Sequence, residues 1–216
     1  MRAFALGLAS AVVAACVGPT IQVGEAGSGR TAVEARQPAA FTELRARTAI
    51  VVDVTIGSPA SARVSADDNL LDNVRTVIEG AKLDIRITGN VQPRAAIRVA
   101  ITMPELTSIE ADSAAQVTVT GIDAPHLQLD AQAIARITAE GRAGVLEVRG
   151  RSAAVIDLRG LATERADVQL EAASRTWLAA ADAVTGTVPS AAVLTLVGAP
   201  RNVQVATDSA GRVTNE

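Results

Sequence analysis

The sequence predicts an all-β fold: a single-domain parallel β-helix, a solenoid with coils of ~19 residues. Three observations carry that reading. A seven-residue pattern recurs six times, starting at Ser113, Ala133, Ser152, Ala172, Ser190 and Ser209, with spacings of 20, 19, 20, 18 and 19 residues. The third position of each copy is small: Ala115, Ala135, Ala154, Ser174, Ala192 and Gly211. Aromatic residues are almost absent, being only Phe4, Phe41 and Trp177. A core of Val, Ile, Leu and Ala suits a thin, regular coil better than two sheets packed about 10 Å apart.

The chain begins with Met1-Arg2 and then thirteen uncharged residues, Ala3 to Ala15. That run is shorter than the roughly 20 apolar residues of a membrane-spanning helix, so residues 1–15 read as a secretory signal peptide. Val13-Ala14-Ala15-Cys16 resembles the bacterial lipobox. The resemblance implies cleavage before Cys16 and a diacylglycerol on its sulfur, which would anchor the protein to a membrane. Cys16 is the only cysteine, so no internal disulfide can form. Val17, rather than Asp, follows it and favours the outer membrane. The expected location is therefore exported and lipid-anchored, in the periplasm or at the outer membrane. Residues 16–40 read as a flexible tether, because Gly18, Pro19, Gly24, Gly27, Gly29 and Pro38 interrupt every regular pattern.

Residues 41–216 form the predicted β-helix domain. Ile50, Val52, Val54 and Ile56 alternate on one face, as do Leu83, Ile85 and Ile87, and then Ile97, Val99 and Ile101. Gly57-Ser58-Pro59, Asp67-Asp68-Asn69, Glu79-Gly80 and Gly89-Asn90 mark turns between them. In the repeats, side chains two apart share a face. The fifth position (Val117, Ile137, Ile156, Thr176, Leu194, Val213) and the seventh (Val119, Ala139, Leu158, Leu178, Leu196, Asn215) point inward. A corner is expected at the small third position. A second is expected eight residues after each start, at Gly121, Gly141, Gly160, Ala180 and Gly198. About nine such coils would fit in residues 41–216 if they stacked in succession. A leucine-rich repeat of similar period would need Leu and Asn at set positions, and those are missing.

Phe41, Asp67-Asp68-Asn69-Leu70-Leu71, Gly80-Ala81-Lys82-Leu83-Asp84-Ile85, Thr102-Met103-Pro104-Glu105-Leu106-Thr107-Ser108-Ile109 and the repeated Ser-Ala-Ala corners together resemble the bacterial family of putative auto-transporter adhesins, head GIN domain. The resemblance spans roughly residues 41–215. It implies a secreted or lipid-anchored β-helical domain of unknown biochemical function and supplies no catalytic residues. Most corners here carry Ala where the family often has Gly, which stiffens them.

The charge of -3, with no Lys/Arg cluster, offers no footprint for nucleic acid. His126 is the only histidine and has no nucleophile elbow to serve. Zinc ligands and a phosphate-binding glycine loop are missing, so neither a metal nor a cofactor is expected. Asp112, Asp130, Asp157 and Asp208 lie near the corners, but Asp112, Asp130 and Asp157 occupy different repeat positions and form no single column, which is a poor basis for a glycosidase pair. Asp67-Asp68-Asn69 could offer oxygens to calcium, but a turn is the favoured reading. Trp177, with Arg175 beside it, is the candidate partner contact. The register points Trp177 outward, alongside Thr118, Thr138, Asp157, Thr195 and Thr214. Polar Thr176 at a core position argues instead for a bulge that turns Trp177 inward, and that is the favoured reading. The function expected is a non-enzymatic, adhesin-like or scaffold surface for a protein or an envelope polymer. A polysaccharide-active enzyme and a purely structural spacer are the alternatives.

Overall fold

The computed structural model describes residues 24–179, 182–208 and 210–216. The expected signal peptide 1–15, Cys16 and the first part of the tether lie outside the described residues. So do Ala180, expected at a second corner, and Ser209, which opens the sixth repeat copy.

The chain is a β-solenoid. Strands β1 (Glu25–Ala26), β2 (Thr31–Arg36), β3 (Glu43–Ala46), β4 (Val51–Ile56) and β5 (Ser61–Asp67) lead into a 3-10 helix, Asp68–Asn73. Then come β6 (Val74–Glu79), β7 (Lys82–Ile87), β8 (Val91–Gln92), β9 (Arg98–Met103) and β10 (Ser108–Ala111). The repeats follow as β11 (Gln116–Ala131), β12 (Arg136–Gly150), β13 (Val155–Leu158), β14 (Leu161–Leu170), β15 (Arg175–Ala179), β16 (Ala183–Val188), β17 (Val193–Val197), β18 (Asn202–Thr207) and β19 (Arg212–Asn215).

In the repeat region every neighbouring pair is parallel. One column of strands is built from the start of β11, the start of β12, β13, β15, β17 and β19. The other is built from β10, the end of β11, the end of β12, β14, β16 and β18. A short third side joins them, pairing Ile122 with Gly141 and Gly141 with Leu161. The inward positions behave as the alternation requires: Val117, Ile137, Ile156, Leu194, Leu129, Val148 and Val168 are all buried.

The first corner falls one step earlier than the small-residue pattern suggests. Paired residues with positive φ form it: Ser113 and Ala114, Ala133 and Ile134, Ser152 and Ala153, Ala172 and Ala173, Ser190 and Ala191. The small third residue is already inside; Ala115, Ala135 and Ala154 are fully buried. Each turn closes with a hydrogen bond from that residue, such as Ala115 N–H to the Asp112 carbonyl at 3.1 Å. Left-handed backbone costs a residue with a side chain about 1–2 kcal/mol. The ladder runs on through the corners and offsets this, with Ala114 N–H donating to Ala133 O at 3.1 Å and Ala153 N–H to Ala172 O at 2.9 Å. At the second corner Gly141 does what alanine could not. Gly141 has φ 132°, and a Cβ there would lie 2.2 Å from the Ile122 carbonyl oxygen.

The regular winding makes about five turns, fewer than the nine that successive stacking would give. The reason lies in residues 31–103. The β3–β4 coil sits between the β7–β9 coil and the β10–β11 coil, pairing in parallel with both. Beyond β7 and β9 the chain reverses: β6 is antiparallel to β7, β5 to β9, and β2 to β5. Part of the expected tether is therefore structured. β2 pairs with β5 from Thr31↔Asp67 to Arg36↔Ala62, and β1 pairs with β8. Glycine and proline content described this segment poorly, because its hydrogen-bond partner lies some thirty residues away.

Candidate functional site

Trp177 projects outward, against the favoured reading of the sequence. β15 pairs without interruption on both sides, Thr176 with Ile156 and Leu194, Trp177 with Asp157 and Thr195. A bulge would break both ladders, and a one-residue slip would turn every side chain of the strand over. The ladder wins. Thr176 is held inward at 1% exposure, and its Oγ1 finds no hydrogen-bond partner among the described residues. Ser174 Oγ, fully buried at the preceding inward position, is likewise unpartnered.

On the outside, Trp177 is half-buried beneath Arg159, whose guanidinium carbon lies 5.7 Å from the ring centroid. That is a cation–π distance. Asp157 fixes Arg159 in place, accepting from Nε at 2.9 Å and from Nη2 at 2.6 Å. The Arg159 hydrogen bond, working against burial, holds the Asp157 carboxyl below its ordinary range. Arg175 is exposed on the same face two residues before Trp177, with Val155 and Val193 on the flanking strands. The two residues singled out in the sequence are therefore brought together. Arg159 and Asp157 complete the cluster, and the Arg159–Trp177 contact had no sequence signal because it crosses between coils.

Around the corner from Ala179 lies a groove of about 760 Å³, lined among others by Arg142, Thr163, Glu164, Ala179, Gly198 and Arg201. Glu164 is the only carboxylate among its described lining residues. A glycoside-cleaving pair needs two.

The remaining aspartates near the corners accept hydrogen bonds from neighbouring groups. Asp130 accepts two hydrogen bonds from Arg151, at 2.9 and 2.8 Å. Asp208 accepts from the backbone N–H groups of Ala210, Ser190 and Gly211 at 2.9–3.0 Å, and these lower its pKa. Asp112 accepts from Ser113 Oγ at 3.1 Å. His126 is half-exposed, with Nε2 3.6 Å from Glu147 Oε1.

The Asp67-Asp68-Asn69 oxygens face protein groups. Asp67 is fully buried and accepts backbone N–H groups from Gly29 (2.8 Å), Arg94 (2.9 Å) and Ala95 (3.3 Å). Burial alone would raise its pKa, but these donors outweigh it and the net shift is downward. Asp68 accepts from Ser28 Oγ and pairs with Arg30 at 2.7 Å, while Asn69 accepts from Ser28 N–H at 2.8 Å. The trio thus staples residues 28–30 to the end of β5. No group of three or more potential metal ligands occurs among the described residues.

A second buried carboxylate was missed from sequence. Asp84, 1% exposed, is held by Arg47 (2.9 and 2.6 Å) and Arg86 (2.6 Å). Arg86 at two residues' distance was a usable hint; Arg47 was not. No described helix is long and apolar enough to cross a membrane.

Residues 40–200 match the sequence model of a family described as putative auto-transporter adhesin, head GIN domain. No curated protein matches. Among solved structures, a putative adhesin from Bacteroides fragilis superposes with a TM-score of 0.71 at 15% identity, covering 89% of this chain and 100% of its own. A putative adhesin from Parabacteroides merdae gives 0.63 at 15% identity, covering 88% and 98%. A putative lipid binding protein from Parabacteroides distasonis gives 0.54 at 10% identity, also covering 88% and 98%. At these identities the likeness establishes the fold.

Proposed function

Because this chain belongs to the putative auto-transporter adhesin, head GIN domain family, we propose that it is a non-enzymatic cell-envelope protein. Its solenoid presents an elongated surface to a protein or envelope polymer. The observation that carries this reading is the outward Trp177–Arg159–Asp157–Arg175 cluster on an otherwise regular sheet. A half-buried, outward aromatic ring with arginines around it is the composition of contact hot spots. Nothing in the packing of the coil requires it, since the equivalent outward positions carry Thr118, Thr138, Thr195 and Thr214. Of the aspartates near the corners, by contrast, Asp130 and Asp157 are engaged in ion pairs and Asp208 in backbone contacts, which leaves them poorly placed to act as an acid–base pair.

The N-terminal reading completes the proposal. Lipidation at Cys16 would tether the solenoid to a membrane, exported to the periplasm or the outer membrane. One acyl chain holds only marginally, whereas two or more hold stably.

The test has two arms. The full-length chain, mixed with isolated envelope material, is expected to co-sediment saturably and to release no new reducing ends from the glycans present. Absence of saturable binding would refute the display reading, and release of reducing ends would refute the non-enzymatic one. Radiolabelled palmitate is expected to label the expressed chain and to be lost in Cys16→Ser; a labelled variant would refute the anchor.

A further inference from the structure

The outward face that carries Trp177 also carries a straight row of arginines. The cross-strand partners run Gln116, Arg136, Val155, Arg175, Val193, Arg212 across consecutive coils. Arg136, Arg175 and Arg212 therefore recur at every second strand, about 9.5 Å apart along the axis. All three are exposed, and none makes an ion pair with a described residue. Two carboxylates on this face are already engaged: Asp157 is held by Arg159, and Asp53 lies 3.7 Å from Arg98. Beside the row run Thr138, Asp157, Trp177, Thr195 and Thr214, offering hydroxyls and one ring. On its other side the described corner residues are Ser and Ala except for Ile134.

Three unpaired like charges in register, on a chain whose net charge is -3, call for an anionic partner that is itself periodic. Guanidinium groups bind carboxylate or sulfate in a flat, bidentate geometry. The interval is coarser than that of duplex phosphates, about 3.4 Å per strand along the axis. It suits an extended sugar chain with one acid group per disaccharide. Valines between the arginines and the Trp177 ring supply apolar surface for the faces of sugars.

We propose that this face binds a linear acidic polysaccharide lying along the solenoid axis. Arg136, Arg175 and Arg212 each hold one anionic group, and Trp177 packs beside a sugar ring. This rests on the display reading above and specifies its partner.

The chain has one tryptophan, so its emission reports directly on this face. The probe is hyaluronan, whose carboxylate recurs on every second sugar, added to the full-length chain with neutral dextran as control. Hyaluronan is expected to shift the Trp177 emission saturably and more weakly at high salt, and dextran to leave it unchanged. R136Q/R175Q/R212Q is expected to weaken binding by about tenfold or more while keeping the parent's thermal midpoint. R142Q/R149Q/R165Q, the same charge change on other sides of the coil, is expected to bind as the parent does. Equal weakening in both triple variants, or equal displacement of hyaluronan by poly-glutamate or single-stranded DNA, would overturn the proposal. A chain that binds envelope material but no hyaluronan overturns it and leaves the display reading standing; a chain that binds neither overturns both.

Discussion

Replacing Thr176 by Val should make the protein more stable. Thr176 sits in the inward column between Ile156 and Leu194, at 1% exposure, with Oγ1 unpartnered. A hydroxyl taken out of water without a hydrogen bond costs about 1–3 kcal/mol on protein mutational scales. Valine has the same shape and puts a methyl where the hydroxyl was, so no cavity opens and no neighbour must move. T176V should therefore gain about 1–3 kcal/mol, and each kcal/mol should raise Tm by about 2–4 °C in a domain of this size. The assay is urea unfolding of the full-length parent and variant, with a higher midpoint and an unchanged m-value expected. S174A should add to the gain, because Ser174 Oγ is buried in the same condition and alanine already occupies that position in four of the other copies. The two sites are close enough to couple, so the double variant is needed as well. A T176V midpoint at or below the parent's would show that Oγ1 is hydrogen-bonded after all, and would remove the argument that the ladder overrides the side chain here.

Ile134 is a β-branched residue at φ 63° and is 66% exposed. Ile134→Asn should stabilise by about 1 kcal/mol, since asparagine tolerates the left-handed region and little burial is lost; a lowered thermal midpoint would contradict the corner geometry. Gly186 has φ 135°, and a Cβ there would lie 1.9 Å from the Val168 carbonyl oxygen. Gly186→Ala should cost on the order of 3 kcal/mol or more through strain and a broken ladder, visible as a collapse of the urea midpoint. Asp67, Asp157 and Asp208 all have lowered pKa values in the folded protein. The stability they contribute is present above the ordinary carboxylate range and is lost as pH falls through their folded values. The urea midpoint should therefore fall on acidification below about pH 4, and D67N should flatten that fall; an unchanged acid slope in D67N would refute the staple.

Much of the candidate site was legible in the repeat, and part of it went unread. Position four of successive copies spells Gln116, Arg136, Val155, Arg175, Val193, Arg212, so the arginine row follows from the register alone once outward positions are compared between coils. Arg175 and Trp177 were found because one of them was chemically unusual; Arg136 and Arg212 were overlooked because each is ordinary by itself. The Arg159 contact over Trp177 and the Arg47–Asp84 pair join residues from different coils, and no local pattern encodes which arginine reaches which partner.

The sequence by itself determined the all-β class, the coil period and the inward columns. These depend on period-two alternation and on a repeat that can bury its apolar face only against its own copies. Tertiary structure alone decided three things. It put Trp177 outside and Thr176 inside, because continuous pairing on both edges of β15 outweighs one misplaced hydroxyl. It folded β2 onto β5, because the unpaired edge of β5 offered a full set of hydrogen bonds to a segment whose composition looked like linker. It also placed the β3–β4 coil between β7–β9 and β10–β11, since which strand edges meet depends on the path of the whole chain.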